Sequence, residues 1–176
     1  MKGYNFLIYG HKTRDLLTLC LKKCKIERNV FVIFTKKRGR GYMKKQGILN
    51  SDISRVLSYL GHTDWICIGD CGLPIPDEVE RIDLALAFGE PTFMRTLEVV
   101  AGDMKVEKII LAEEIKTQNP VVLEQVTELF AGQNVETEYV SHVELKERTK
   151  NCKAVIRTGE TTPYANVILQ ASCIFA

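Results

Sequence analysis

A histidine and a carboxylate bracket one short apolar run. His62 lies just past a helical stretch, and Asp70 lies just past Trp65-Ile66-Cys67-Ile68-Gly69. A histidine of ordinary pKa, about 6.5, suits proton donation near neutrality. The dipole at a helix C-terminus favours its protonated form. A carboxylate directly after a strand stands where ligands collect in open α/β sheets. The plainer alternative is that His62 caps the helix and Asp70 caps the next loop. Further along, His142 opens a charged segment after a strand. Tyr164 and Asn166 flank Ala165 in a polar turn before the last apolar run. Here too a structural reading stands beside the chemical one. His142 would be a cap or a surface residue, and Pro163 with Asn166 would be turn formers. Glu160 either holds that turn or contacts a ligand. Glu113 and Glu114 are adjacent, so their side chains diverge, and they read as the solvated end of a strand.

Other chemistries find no support. The chain has no G-x-G-x-x-G after a strand, no G-x-x-x-x-G-K, no H-E-x-x-H and no G-x-S-x-G. No nucleotide cofactor, metal hydrolysis or serine nucleophile is indicated. The six cysteines, Cys20, Cys24, Cys67, Cys71, Cys152 and Cys173, form no C-x-x-C pair. With only three histidines, widely spaced, a zinc site is not expected. Reduced thiols in a cytosolic protein are expected, with Cys67, Cys152 and Cys173 in strand-like runs.

The elements that must position these residues follow from periodicity. Ile53, Val56, Leu57 and Leu60 give a helix within Ile48–Leu60, with Asn50, Ser51 or Asp52 as its cap and Gly61 as its stop. Trp65–Gly69 reads as a strand buried on both faces. The loop Asp70–Pro76 is stiffened by two prolines. A strand is expected over Arg81–Phe88, a helix over Thr92–Ala101 and a strand over Val106–Ala112. A helix capped by Asn119 should begin at Pro120, run to about Phe130 and end at Gly132. A half-exposed strand over Val135–Ser141 and a short helix over His142–Lys150 come next. The last two strands are Ala154–Arg157 and Asn166–Phe175. Alternating strands and helices predict an α/β protein, a three-layer α/β/α sandwich around a sheet of about six strands.

The 176 residues are 45% hydrophobic and 26% charged, as in an ordinary globular protein. The net charge of +2 hides a split: residues 1–42 carry +9 and residues 43–176 carry −7. An acidic main domain argues against a nucleic-acid-binding body. No apolar run approaches the ~18 residues of a membrane helix, and no signal-peptide pattern is apparent. The basic segment 1–42 admits three readings. It is an arm for nucleic acid or an acidic surface. It is a targeting peptide, which Asp15, Glu27 and the lack of serine fit poorly. Or Lys36–Gly41 translates a purine-rich ribosome-binding sequence and Met43 is the true start. Within the segment, Leu16–Leu21 hints at a helix and Val30–Phe34 at a strand.

Residues 43–176 resemble the ribose pyranases of the ribose pyranase / fucose mutarotase family. The resemblance lies in Leu49-Asn50-Ser51-Asp52-Ile53, Leu60-Gly61-His62-Thr63-Asp64 and Gly69-Asp70-Cys71-Gly72-Leu73-Pro74-Ile75-Pro76. It continues in Arg81-Ile82-Asp83-Leu84-Ala85-Leu86, Ala112-Glu113-Glu114-Ile115, Arg157-Thr158-Gly159-Glu160 and Pro163-Tyr164-Ala165-Asn166. It implies interconversion of the pyranose and furanose forms of D-ribose, in the cytoplasm, without cofactor or metal. Carried over by position, His62 matches the catalytic proton donor and Asp70 a sugar-binding carboxylate. His142 matches a second sugar-binding histidine, and Tyr164, Ala165 and Asn166 match the substrate-binding turn. Cys71 stands where alanine is more usual, a small-for-small change. The resemblance further implies a homo-oligomer, a decamer of two pentameric rings with sites between neighbouring subunits, and neither a nucleic-acid nor a membrane partner. The base that deprotonates the anomeric hydroxyl stays open between neutral His62, His142 and water. Three rivals remain: an L-fucose-type mutarotase, a sugar-binding module without turnover, and a nucleic-acid-binding protein acting through the basic segment 1–42.

Overall fold

The computed structural model describes residues 44–175. The readings made for residues 1–42 lie outside the described residues. The elements are, in chain order, α1 (Ser51–Tyr59), β1 (Trp65–Gly69), β2 (Glu80–Asp83), α2 (Phe93–Ala101) and β3 (Val106–Ala112). They continue with α3 (Ile115–Gln118), α4 (Pro120–Phe130), β4 (Glu136–Val140), α5 (His142–Thr149), β5 (Ala154–Arg157) and β6 (Val167–Ala171).

The caps lie where short polar side chains can satisfy the free N–H groups of a first turn. Asn50 accepts from the N–H groups of Asp52 and Ile53, Thr92 from Arg95, Asn119 from Val122 and Ser141 from Glu144. Gly132, at φ 74°, follows α4 in the left-handed conformation open to glycine. Gly61 does not close α1 in that way. Leu60 is already extended (φ −62°, ψ 129°), so the chain leaves the helix before the glycine.

The six strands form one sheet in the order β2-β5-β1-β6-β3-β4. Only β6 runs antiparallel to its neighbours. Side chains alternate across the sheet, so its two faces build two cores. Ile66, Ile68, Ile109, Leu111, Ile156 and Leu169 pack with residues of α1, α2, α3 and α4 on one face. Cys67, Ile110, Val155 and Ile168 pack with Leu145 of α5 and with Leu73 and Val79 of the loop after β1 on the other. This is the expected three-layer α/β/α sandwich.

Two strands are shorter than expected, and pairing explains both. Asp83, the last residue of β2, lies opposite Arg157, the last residue of β5. With no partner beyond, the chain turns through an Ala87–Glu90 bridge and leaves Leu86 and Phe88 exposed. Likewise β6 ends at Ala171, which lies opposite the first residue of β3, Val106. The short α3 was not expected. Among the described residues, no helix is long and apolar enough to cross a membrane.

Candidate active site

The antiparallel β6 decides which residues meet. Its first residues share a sheet end with the last residues of β1, β3, β4 and β5. Asp70 (after β1), His142 (after β4), Thr158 (after β5) and Asn166 (before β6) therefore gather at one end. The opposite end gathers the starts of β1 and β3 with the end of β6, and His62 is there.

At the first end, Asp70 and Asn166 form a reciprocal pair. The Asp70 N–H donates to Asn166 Oδ1 at 2.9 Å, and Asn166 Nδ2 donates to Asp70 Oδ2 at 2.8 Å. The Gly72 N–H donates to Asp70 Oδ1 at 2.9 Å. The carboxylate is thus fixed by two donors while remaining half-exposed. Asn166 and Ala165 are fully buried. Asn166 therefore holds Asp70 from beneath. Gly69 permits this closeness, since a Cβ there would lie 2.5 Å from Leu73 Cδ2 and 3.0 Å from Asn166 Oδ1. Arg157 Nε donates to the Cys71 carbonyl at 3.1 Å, and Thr158 Oγ1 to the Gly69 carbonyl at 2.8 Å, pinning the loop from β5.

His142 and Tyr164 meet edge to face, ring centroids 5.0 Å apart. Tyr164 has a positive φ of 58°, strained for a bulky residue and a mark of functional turns. The turn is held from two sides. Asn119 Nδ2 donates to Thr162 Oγ1 at 3.0 Å and to the Pro163 carbonyl at 2.9 Å. Glu160 accepts from the N–H groups of Thr161, Thr162 and Phe93. Burial alone would push the Glu160 pKa up, but these backbone donors outweigh it and hold the group below the usual carboxylate range. Glu160 thus holds the turn, the first of its two readings.

The His142 N–H donates to both carboxylate oxygens of Glu114, at 3.1 and 3.0 Å. Glu114 is therefore not merely the solvated end of β3: it caps the start of α5. Burial lowers the His142 pKa below the histidine norm, Lys146 adds to this, and the Glu114 and Asp70 carboxylates oppose it. The balance favours the neutral ring. Among the described residues its Nδ1, though buried, has no hydrogen-bond partner.

At the opposite end, His62 Nε2 lies 3.0 Å from Glu107 Oε2. β1 alone separates His62 from Asp70 by about 13 Å, at ~3.3 Å per residue. A single protomer does not bring His62 to the Asp70 end. Nor does His62 cap α1, since its ring partner is a carboxylate on β3. Sequence reasoning missed Glu107, Gln170 and Arg157 as site residues, and read Asn119 only as a helix cap. Their partners are distant in sequence, and only the Asn119 cap carried a local signal.

Among the described residues, no cluster of three or more His, Cys, Asp or Glu converges as metal ligands would. Cys67, Cys71, Cys152 and Cys173 are free. Burial raises the Cys152 thiol to about 12 and the Cys67 thiol well above its norm, so neither is a nucleophile.

Residues 43–174 match the model of the RbsD / FucU transport protein family. The chain belongs to this family. It is 59% identical over 133 residues to a D-ribose pyranase of Exiguobacterium sibiricum, a stretch that is 76% of this chain and the whole of that protein. It is 55% identical, with the same coverage, to a D-ribose pyranase of Bacillus cytotoxicus. The fold matches Bacillus subtilis RbsD complexed with D-ribose at a TM-score of 0.73 and 54% identity, covering 76% of this chain and all of that one. The fucose mutarotase of Streptococcus pneumoniae in complex with L-fucose matches at a TM-score of 0.63 and 21% identity, covering 71% of this chain and 94% of that one. The last likeness shows the fold alone.

Proposed function

We propose that this chain interconverts the pyranose and furanose forms of D-ribose, acting as an intramolecular isomerase. The observation that carries this reading is the 55–59% identity to D-ribose pyranases over their whole length. The likeness to a D-ribose complex supports the choice of sugar.

The reaction needs only protons moved at fixed places. Opening the pyranose breaks the C1–O5 bond. The electron pair stays on O5, which takes a proton from an acid. The O1–H proton leaves to a base, and C1=O1 forms. Rotation then brings O4 to C1. The C1–O4 bond forms, O4 gives up its proton and O1 regains one. General acid–base help of this kind is worth ~10²–10⁴-fold.

His62 is the acid in this reading. Asp70, His142 and Tyr164 hold the sugar, with Ala165 and Asn166 shaping the turn beneath. The O1 proton passes to water or to the neutral His142 ring. Because His62 and Asp70 occupy opposite sheet ends, the His62 that serves a given Asp70 belongs to a neighbouring copy. A homo-oligomer follows, and the family resemblance supports a decamer of two pentameric rings in the cytoplasm. Residues 43–176 are the catalytic unit, and residues 1–42 are a basic extension outside it.

Saturation-transfer proton NMR on equilibrated D-ribose tests the reading. Added protein should carry magnetisation between pyranose and furanose signals. Unchanged exchange would overturn the reading, and acceleration of L-fucose anomer exchange instead would assign the chain to the mutarotases.

A further inference from the structure

A row of side chains runs from β1 across β6 to β3 at the His62 end. Trp65 Nε1 donates to Gln170 Oε1 at 3.0 Å, Gln170 Nε2 donates to Glu107 Oε1 at 2.6 Å, and Glu107 Oε2 lies 3.0 Å from His62 Nε2. An indole N–H can only donate, so Gln170 must turn its oxygen to Trp65 and its NH₂ to Glu107. An ionised carboxylate can only accept. Its pKa is held down first by the Gln170 bond and then by His62, against partial burial. The one remaining assignment is that His62 Nε2 carries its proton and donates to Glu107.

We propose that Glu107 is the positioning residue for His62, and that Nδ1 is the nitrogen that exchanges a proton with the sugar. Nε2 stays protonated in both charge states, so Nδ1–H gives its proton to the ring oxygen, and the bare Nδ1 takes one back on closure. The turn geometry supports this. Thr63 is held at φ 69°, a conformation rare for a β-branched residue, while its N–H donates to the Ala171 carbonyl at 2.9 Å. Asp64, the other nearby carboxylate, is committed to the Gly61 N–H at 2.8 Å and to Lys153 Nζ at 3.3 Å. His62 keeps 54% of its side chain exposed, and Nδ1 makes no hydrogen bond to any described residue. The inference rests on His62 being the acid of the proposed reaction.

Nitrogen-15 NMR of the imidazoles in the full-length protein tests it, with His62 assigned by its loss in His62→Gln. Neutral His62 should be the Nε2–H tautomer, and D-ribose should shift Nδ1 while leaving Nε2 bonded. Glu107→Ala should shift the Nε2 resonance and lower kcat about tenfold with KM held, less than the ~10²-fold or more of a lost acid. An Nδ1–H tautomer, a ribose response at Nε2, or a Glu107→Ala variant with unchanged Nε2 and kcat would each overturn the proposal. Should Glu107→Ala fail to fold, the wild-type tautomer and its ribose response decide alone. A His62→Gln variant as active as wild type would instead strike the underlying reading of His62.

Discussion

Asp70 and Asn166 hold each other in both directions, backbone N–H to amide oxygen at 2.9 Å and amide NH₂ to carboxylate at 2.8 Å, though they stand 96 residues apart. One partner is half-exposed and the other fully buried. Their roles therefore separate. Asn166→Ala leaves the Asp70 N–H without its partner, at a cost of ~1–3 kcal/mol, and should also weaken ribose binding. Asp70→Asn keeps the backbone bond but turns an NH₂ towards either Asn166 Nδ2 or the Gly72 N–H, so it too should lower the melting temperature, and KM for ribose should rise about tenfold, the loss of one good polar contact. Thermal melts and exchange kinetics on both variants check this. An unchanged KM in Asp70→Asn would contradict it.

In the proposed reaction, His142 should carry the pH dependence of sugar binding. Its folded pKa lies below the ordinary 6.5, first because of burial. The native state thus resists a proton that the unfolded chain accepts. Its contribution to stability is whole above pH ~6.5 and is lost as pH falls through the depressed folded value. Ribose affinity should stay flat from pH 8 to about 6.5 and weaken only in more acid solution. His142→Gln should flatten the acid limb and raise KM. An affinity that breaks above the ordinary histidine range would count against a neutral His142.

Glu160 makes the turn acid-sensitive. Its folded pKa is lowered because three backbone donors outweigh burial. Its stabilisation is present above the unfolded carboxylate pKa of ~4.3 and is lost as pH falls through the lower folded value. Glu160→Gln should lower the melting temperature at pH 7 and make its decline below pH 4.5 shallower than in wild type, by calorimetry across pH.

Gly159 and Gly61 should respond differently to alanine. A Cβ at Gly159 would lie 2.3 Å from the Glu90 carbonyl oxygen and 2.4 Å from that of Ala87. Backbone atoms cannot give way as a flexible side chain can, so Gly159→Ala should cost about 2 kcal/mol or more. At Gly61 the nearest atom is Asp64 Oδ2 at 3.5 Å, an ordinary contact. Gly61→Ala should be tolerated, despite the sequence expectation of a glycine stop for α1. Melting temperatures of the two variants decide.

Much of the fold was legible because local patterns and burial agreed. The run Trp65–Gly69 matches β1, and Asn119-Pro120 marks the start of α4. Arg81–Phe88 was read too long because the limit lies in β5, whose last residue no local pattern of β2 can reveal. The candidate residues were named from types, turns and resemblance, but their grouping was not readable. That depends on β6 running antiparallel, which places Asn166 beside Asp70 and Gln170 beside Glu107. The partners of Glu107 lie 45 and 63 residues away in sequence. Glu114 was misread for the same reason, since its partner, the His142 N–H, is 28 residues away.

The proposed reaction requires that His62 of one copy act on a sugar held by Asp70 of another. Two full-length variants, His62→Gln and the bulky apolar Asp70→Leu, which removes the carboxylate and fills its place, test it when unfolded and refolded together, with mixed assemblies verified by native mass spectrometry. Ribose ring exchange, followed by saturation-transfer NMR, should be near background in each variant alone. It should recover to a substantial fraction of wild type in the mixture, because some interfaces then pair an intact His62 with an intact Asp70. Verified mixed assemblies with no recovered exchange would contradict a site shared between copies.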